Sequence, residues 1–279
     1  RNYYRRLRTR GELTLYNVRG LAFAILAAMT AAMVQAVLFY QFCTYFVDVR
    51  GLGAVAATLQ FAPFLIGMLV GTTLIVRLAT RFGARRLITG GLILTAVGLL
   101  ALSRLAVDTP LSYLILPIAL LGLGFGIAGP ARTSVILSAP PPRLIGSSAG
   151  INAAAGQSGY TLGVIVSNLL VTALADSAFH AQMRQAKLSS ATMAQIDSVW
   201  ENTFARAMSG NYIRLPTEAA QWVTMQFAPA FTAGLAGTLL IMAVVVLAVA
   251  IFIFVAMERG LKGSLMQTTA GMGSGGATG

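Results

Sequence analysis

The chain has 279 residues, of which 57% are hydrophobic and only 10% charged, against roughly 25% charged in an ordinary soluble domain. That balance sets it among membrane proteins. A formal charge of +12 does not make it a nucleic-acid binder, because the bases flank apolar runs instead of gathering on a phosphate-binding face.

In chain order, residues 1–20 form a basic segment, opening with RNYYRRLRTR. Arg1 stands where an initiating Met would be, and the apolar run after this segment is too long for a signal-peptide core. The chain therefore reads as a piece of a longer protein. Six apolar runs then reach the ~20 residues that cross a bilayer as helix: Leu21 to Phe46, Val55 to Ala79, Leu87 to Val107, Ser112 to Leu137, Gly146 to Ala175 and Pro229 to Met257. They are too long and unbroken for barrel strands, so the expected fold class is all-α integral membrane with six transmembrane helices. Five of these helices fall in residues 21–175 and the sixth in 229–257. Residues 258–279 are expected as a disordered tail, rich in Gly, Thr and Ser from Gly263 onward.

Bases choose the orientation. One side collects 14 of the 20: Arg1, Arg5, Arg6, Arg8, Arg10, Arg19, Arg77, Arg81, Arg85, Arg86, Arg132, Arg143, Arg259 and Lys262. Both termini are therefore expected in the cytoplasm, in a multi-pass protein of the cell membrane. Residues 176–228 fall outside. Met183, Ala186, Met193, Ile196, Val199, Trp200, Phe204 and Met208 recur there largely at helical steps. The segment reads as one or two amphipathic helices serving as a connector on the bundle, a lid, a partner site or a membrane-surface hairpin.

The fourth and fifth spans carry glycine stripes joined by Ala139-Pro140-Pro141-Pro142-Arg143. Gly122, Gly126 and Gly129 in one, and Gly156, Gly159 and Gly163 in the other, share helix faces and are expected to pack helices closely. Gly124 to Gly129 also spells G-x-G-x-x-G, but it lies in an apolar run with no acid between Asp108 and Asp176 to hold a ribose. With Cys43 the only cysteine and His180 the only histidine, no cofactor, metal site or disulfide is expected. No intramembrane pair of acids is present to suggest an enzyme. Candidate substrate contacts are the polar side chains Gln35, Tyr40, Gln41, Gln60, Asn152, Gln157 and Tyr160, with Phe39 and Phe125 as apolar walls. For each Gln or Asn the competing reading is an interhelical hydrogen bond. Arg132, a turn from the end of its span, is expected to snorkel to the interface.

Arg77-Leu78-Ala79-Thr80-Arg81-Phe82-Gly83-Ala84-Arg85-Arg86 resembles the loop signature G-x-x-x-D-[RK]-x-G-x-[RK]-[RK] of the major facilitator superfamily. Arg81, Gly83, Arg85 and Arg86 match; Val76 and Thr80 replace its glycine and aspartate. Tyr45 to Gly71, with Arg50, Gly51 and Pro63, is similar to the connection of the first two spans in the second half of the 14-span drug:proton antiporter branch, with Val47 in place of a glutamine. The glycine-striped fourth span, proline-bearing turn and G-x-x-x-G-x-N agree with the same branch. The resemblance implies the carboxy-terminal six-helix half of a multidrug efflux carrier. Its first, second, fourth and fifth spans would face a cavity, and its third and sixth would lie outside. Implied with it are a gating role for the Arg81 to Arg86 loop, a small-molecule substrate, protons as coupling ion, the lipid bilayer and an N-terminal half as partners. No carboxylate lies within the six apolar runs, so the titrating acid of a proton-driven carrier is expected in that other half. The competing class is a six-span sensor or assembly module that binds through residues 176–228.

Overall fold

A computed structural model describes residues 11–138, 145–185, 200 and 218–273, with side chains over 21–137, 145–184, 200 and 226–256. Among the described residues six helices are long and apolar enough to cross a membrane, and no strand occurs. They are α1 (Leu21–Val49), α2 (Ala54–Ala79), α3 (Ala84–Leu102), α4 (Leu111–Leu137), α5 (Ile145–Arg184) and α6 (Gln226–Ala256). The all-α, six-span expectation holds because hydrocarbon leaves backbone groups no partner outside the helix.

Two helices extend past the apolar runs. The fifth continues to Gln185, and the sixth begins at Glu218 and continues to Gly273. Apolarity limits where a helix can lie in lipid, not where it must end. Propagating an existing helix costs little compared with starting one, so polar residues such as Asp176 and Ser177 extend α5 instead of opening a loop. The same reasoning carries α6 into the tail expected to be disordered. Arg1–Arg10, the Ala139–Arg143 turn, residues 186–199 and 201–217, and 274–279 lie outside the described residues.

Local departures from α-helix have identifiable causes. In α2 the helix breaks after Leu59 and resumes at Ala62, because Pro63 has no N–H to offer the Leu59 carbonyl. The chain bridges the gap with i→i+3 bonds from Gln60 N to Ala57 O (3.2 Å) and from Phe61 N to Thr58 O (3.1 Å). α1 contains two π-helical turns, Val37–Gln41 and Tyr45–Val49. It ends at Gly51, whose φ of 64° is left-handed and suited to glycine. There Leu52 N bonds back to Phe46 O at 2.9 Å. Arg50 then donates from Nη1 to the Val107 and Thr109 carbonyls, each at 2.8 Å, fastening the end of α1 to the α3–α4 loop.

α4 is the central post, packed against both α2 and α3; α1 pairs with α5, and α6 fits between α3 and α5. Glycines set these approaches. A Cβ on Gly122 would strike the Phe64 carbonyl and one on Gly126 the Met68 carbonyl, both in α2, while one on Gly124 would lie 2.5 Å from the Gly91 carbonyl of α3. One apolar helix thus presents glycine to two neighbours. The G-x-G-x-x-G spelling is a consequence of that packing. In α5, Gly159 and Gly163 press on the α1 backbone at Met29 and Met33. At Gly129 and Gly156 a Cβ would meet nothing within 4 Å among the described residues, so neither brings two described helices into close contact.

Candidate functional site

The space in front of Gly156 is a cavity of about 430 Å³ between α1, α4 and α5. α1 contributes Ala28, Ala32 and Gln35; α4 contributes Arg132; α5 contributes Asn152, Ala153, Gly156, Gln157 and Tyr160. Small residues on α1 and α5 leave the room, and four polar side chains and one cation edge it. The size lies within the ~300–1,000 Å³ of small-molecule sites.

Of the nine substrate contacts read from the sequence, Gln35, Asn152, Gln157 and Tyr160 come together here, and the other five lie elsewhere. Gln41 is fully buried; its Nε2 donates to Ser167 Oγ (3.2 Å) and Asn168 Oδ1 (2.7 Å) across the α1–α5 contact. Phe39 packs on Phe61 and Phe64 with ring centroids 5.1 and 5.5 Å apart. Phe64 in turn meets Phe125 at 5.4 Å. These rings form an aromatic seam between α1, α2 and α4. Gln60 stands at the α2 break, and Tyr40 sits in the first π-turn, its carbonyl accepting from Thr44 Oγ1 at 3.3 Å. Of the spans expected to face a cavity, the first, fourth and fifth line this one; the second supplies no residue to it.

Arg132 is placed otherwise than expected. It lines the cavity, and its Nε is shielded from solvent without a hydrogen-bond partner. The signal that could have found it is the set of small residues on the opposing helices, Ala28, Ala32, Ala153 and Gly156, which leave room for a guanidinium. Ser167 and Asn168, the partners of Gln41, are adjacent polar residues in an apolar run, and nothing in their local pattern marks Gln41 as their partner.

Arg81 of the α2–α3 loop and Arg86 of the first turn of α3 are exposed, and Arg85 beside it lies over the Phe254 ring of α6 at 4.1 Å, a cation–π contact. Gly83 is the extended N-cap of α3, at φ −63° and ψ 159°, a conformation open to any residue. At the opposite end of the bundle, Trp200 of the 176–228 segment stacks on Phe179 with ring centroids 3.8 Å apart. Its Nε1 donates to Asp176 Oδ1 at 3.1 Å. These contacts tie Trp200 to the C-terminal end of α5.

Fold and site together define a six-helix membrane bundle with a polar cavity among three of its spans. The family model of the Major Facilitator Superfamily matches residues 3–164, and the chain belongs to that family of transporters. It is 30% identical over 144 residues to the tetracenomycin C resistance and export protein of Streptomyces glaucescens, covering 52% of this chain and 27% of that protein. It is 34% identical over 138 residues to the puromycin resistance protein of Streptomyces alboniger, covering 48% and 27%. The match thus spans about a quarter of the length of these curated relatives. Among solved structures, an inward-facing, unoccupied bacterial homologue of the human lysosomal transporter Spinster superposes with a TM-score of 0.62 at 16% identity. That superposition covers 88% of this chain and 48% of the other, so the bundle corresponds to half of such a fold.

Proposed function

We propose that this chain is the carboxy-terminal half of a secondary active transporter that exports lipophilic small molecules by alternating access, driven by protons. The observation that carries the reading is the polar cavity among α1, α4 and α5, in a family whose substrates pass between two six-helix halves. The two Streptomyces relatives, one a resistance and export protein and the other a resistance protein, support export and a drug-like cargo. In this reading both termini are cytoplasmic, and the Arg81–Arg86 loop faces the cytoplasm as its charge demands. α4 and α5 carry the surfaces that rock against the other half.

Proton coupling requires a group that titrates within the membrane. Among the described residues of the spans the carboxylates are Asp48 and Asp176, both at the helix ends opposite Arg132. The coupling acid is therefore assigned to the amino-terminal half. Cells expressing the full-length protein, loaded with fluorescein through its diacetate, with ethidium or with puromycin, are expected to clear at least one of them faster than control cells. An uncoupler that collapses the proton gradient should stop that clearance. No accelerated clearance of any probe would overturn the export reading. Proton-driven clearance by the six-span segment alone would overturn the assignment of the acid.

A further inference from the structure

We infer that the α1/α4/α5 cavity selects an anionic aromatic molecule, with Arg132 as the charge that receives its carboxylate, phenolate or sulfonate. The inference rests on the transporter reading and names the substrate class for that site. Its basis is an imbalance of charge. A guanidinium held inside a membrane span is retained at a cost unless an anion or a set of acceptors meets it, and such residues mark substrate or ion pathways. Arg132 forms no ion pair or hydrogen bond among the described residues, and its Nε is shielded. No carboxylate of the spans lies in its half of the bundle.

The neighbours specify the rest of the ligand. Asn152 and Gln157, on the α5 face of the cavity, are amides that can donate to further oxygens. Tyr160 is 37% exposed at the edge and offers a flat ring for offset stacking. A guanidinium fork matches a planar carboxylate in two parallel bonds, which an ammonium cannot do. A carboxylate side chain of the other half could supply the same charge. The open volume of about 430 Å³ favours a whole small molecule, since one acidic side chain would leave most of it unfilled.

The test uses purified full-length protein and two dyes of one xanthene skeleton, anionic fluorescein and cationic tetramethylrosamine, titrated by fluorescence polarisation. Wild type is expected to bind fluorescein more tightly. Arg132→Gln should weaken fluorescein at least tenfold without weakening tetramethylrosamine, and Arg132→Lys should keep part of the lost affinity. Arg104→Gln, which removes one exposed charge from the α3–α4 loop, should leave both dyes within twofold. Thermal denaturation of each variant separates lost binding from lost fold. Unchanged fluorescein binding in Arg132→Gln, no binding by wild type, or equal weakening of both dyes would overturn the inference. Equal weakening with a lowered Tm would identify an acidic side chain as the partner of Arg132. Selective fluorescein binding without efflux would sink the export reading and leave the anion site standing.

Discussion

Gly156 and Gly159 lie three residues apart in the same stripe, yet the structure gives them different work. A side chain at Gly159 runs into the Met29 backbone at 2.6 Å, whereas at Gly156 it enters the cavity. Gly159→Leu should therefore wedge α1 from α5 and cost about 1–3 kcal/mol or more, seen as a lowered Tm in detergent and poor yield. Gly156→Leu should fold with a Tm near that of wild type and lose transport by filling the site. Gly51→Ala places a Cβ at φ 64° and should cost about 1–2 kcal/mol, again read as Tm, with no cavity residue touched. Gln41→Leu removes the donors to Ser167 and Asn168. Interhelical hydrogen bonds in membranes average ~0.6 kcal/mol and reach ~1.7, so a small fall in Tm is expected. A fall without any change in substrate affinity would place Gln41 in packing alone.

At the level of whole helices, the spans were legible because length and apolarity are local properties of sequence. Facing was legible only where the helix stayed regular. On α5, Asn152, Gln157 and Tyr160 keep their α-helical phase and arrive together. On α1, Gln35 and Phe39 lie four residues apart on one face, but at ~100° per residue Tyr40 and Gln41 fall about 140° and 120° round the helix from Gln35, and the π-turn over Val37–Gln41 shifts the phase further. Gln41 meets α5, and Phe39 joins the aromatic seam. Nothing in the local composition marks that turn. Helix ends are not span ends: α5 and α6 extend beyond their apolar runs without ceasing to be helices. The Arg50 clamp also belongs to this scale. Arg50→Gln loses the bonds to Val107 O and Thr109 O, so the α3–α4 loop should be cut several-fold faster in limited proteolysis, while α1 to α5 packing is unchanged.

For the molecule as a whole, the outward faces agree with two kinds of neighbour. α6 turns Val244, Ile251 and Phe252 outward, as lipid requires, and only 22% of the apolar stretch of α2 is buried, with Ile66 and Leu69 exposed. A second six-helix half covering α2 would explain so open a span. In a background carrying Cys43→Ser, since Cys43 is exposed, Thr80→Cys should react with an impermeant maleimide only from the cytoplasmic side, and Thr109→Cys only from the outside. The opposite pattern would invert the topology. The central claim is that the transported molecule passes through the α1/α4/α5 cavity, and plugging that cavity tests it most directly. In the full-length protein carrying Cys43→Ser and Gly156→Cys, alkylation by N-ethylmaleimide should abolish efflux of whichever dye the unmodified variant exports. The same treatment of Leu240→Cys, on the exposed face of α6, should leave efflux intact. Efflux that persists with the Gly156→Cys thiol fully alkylated would contradict the account.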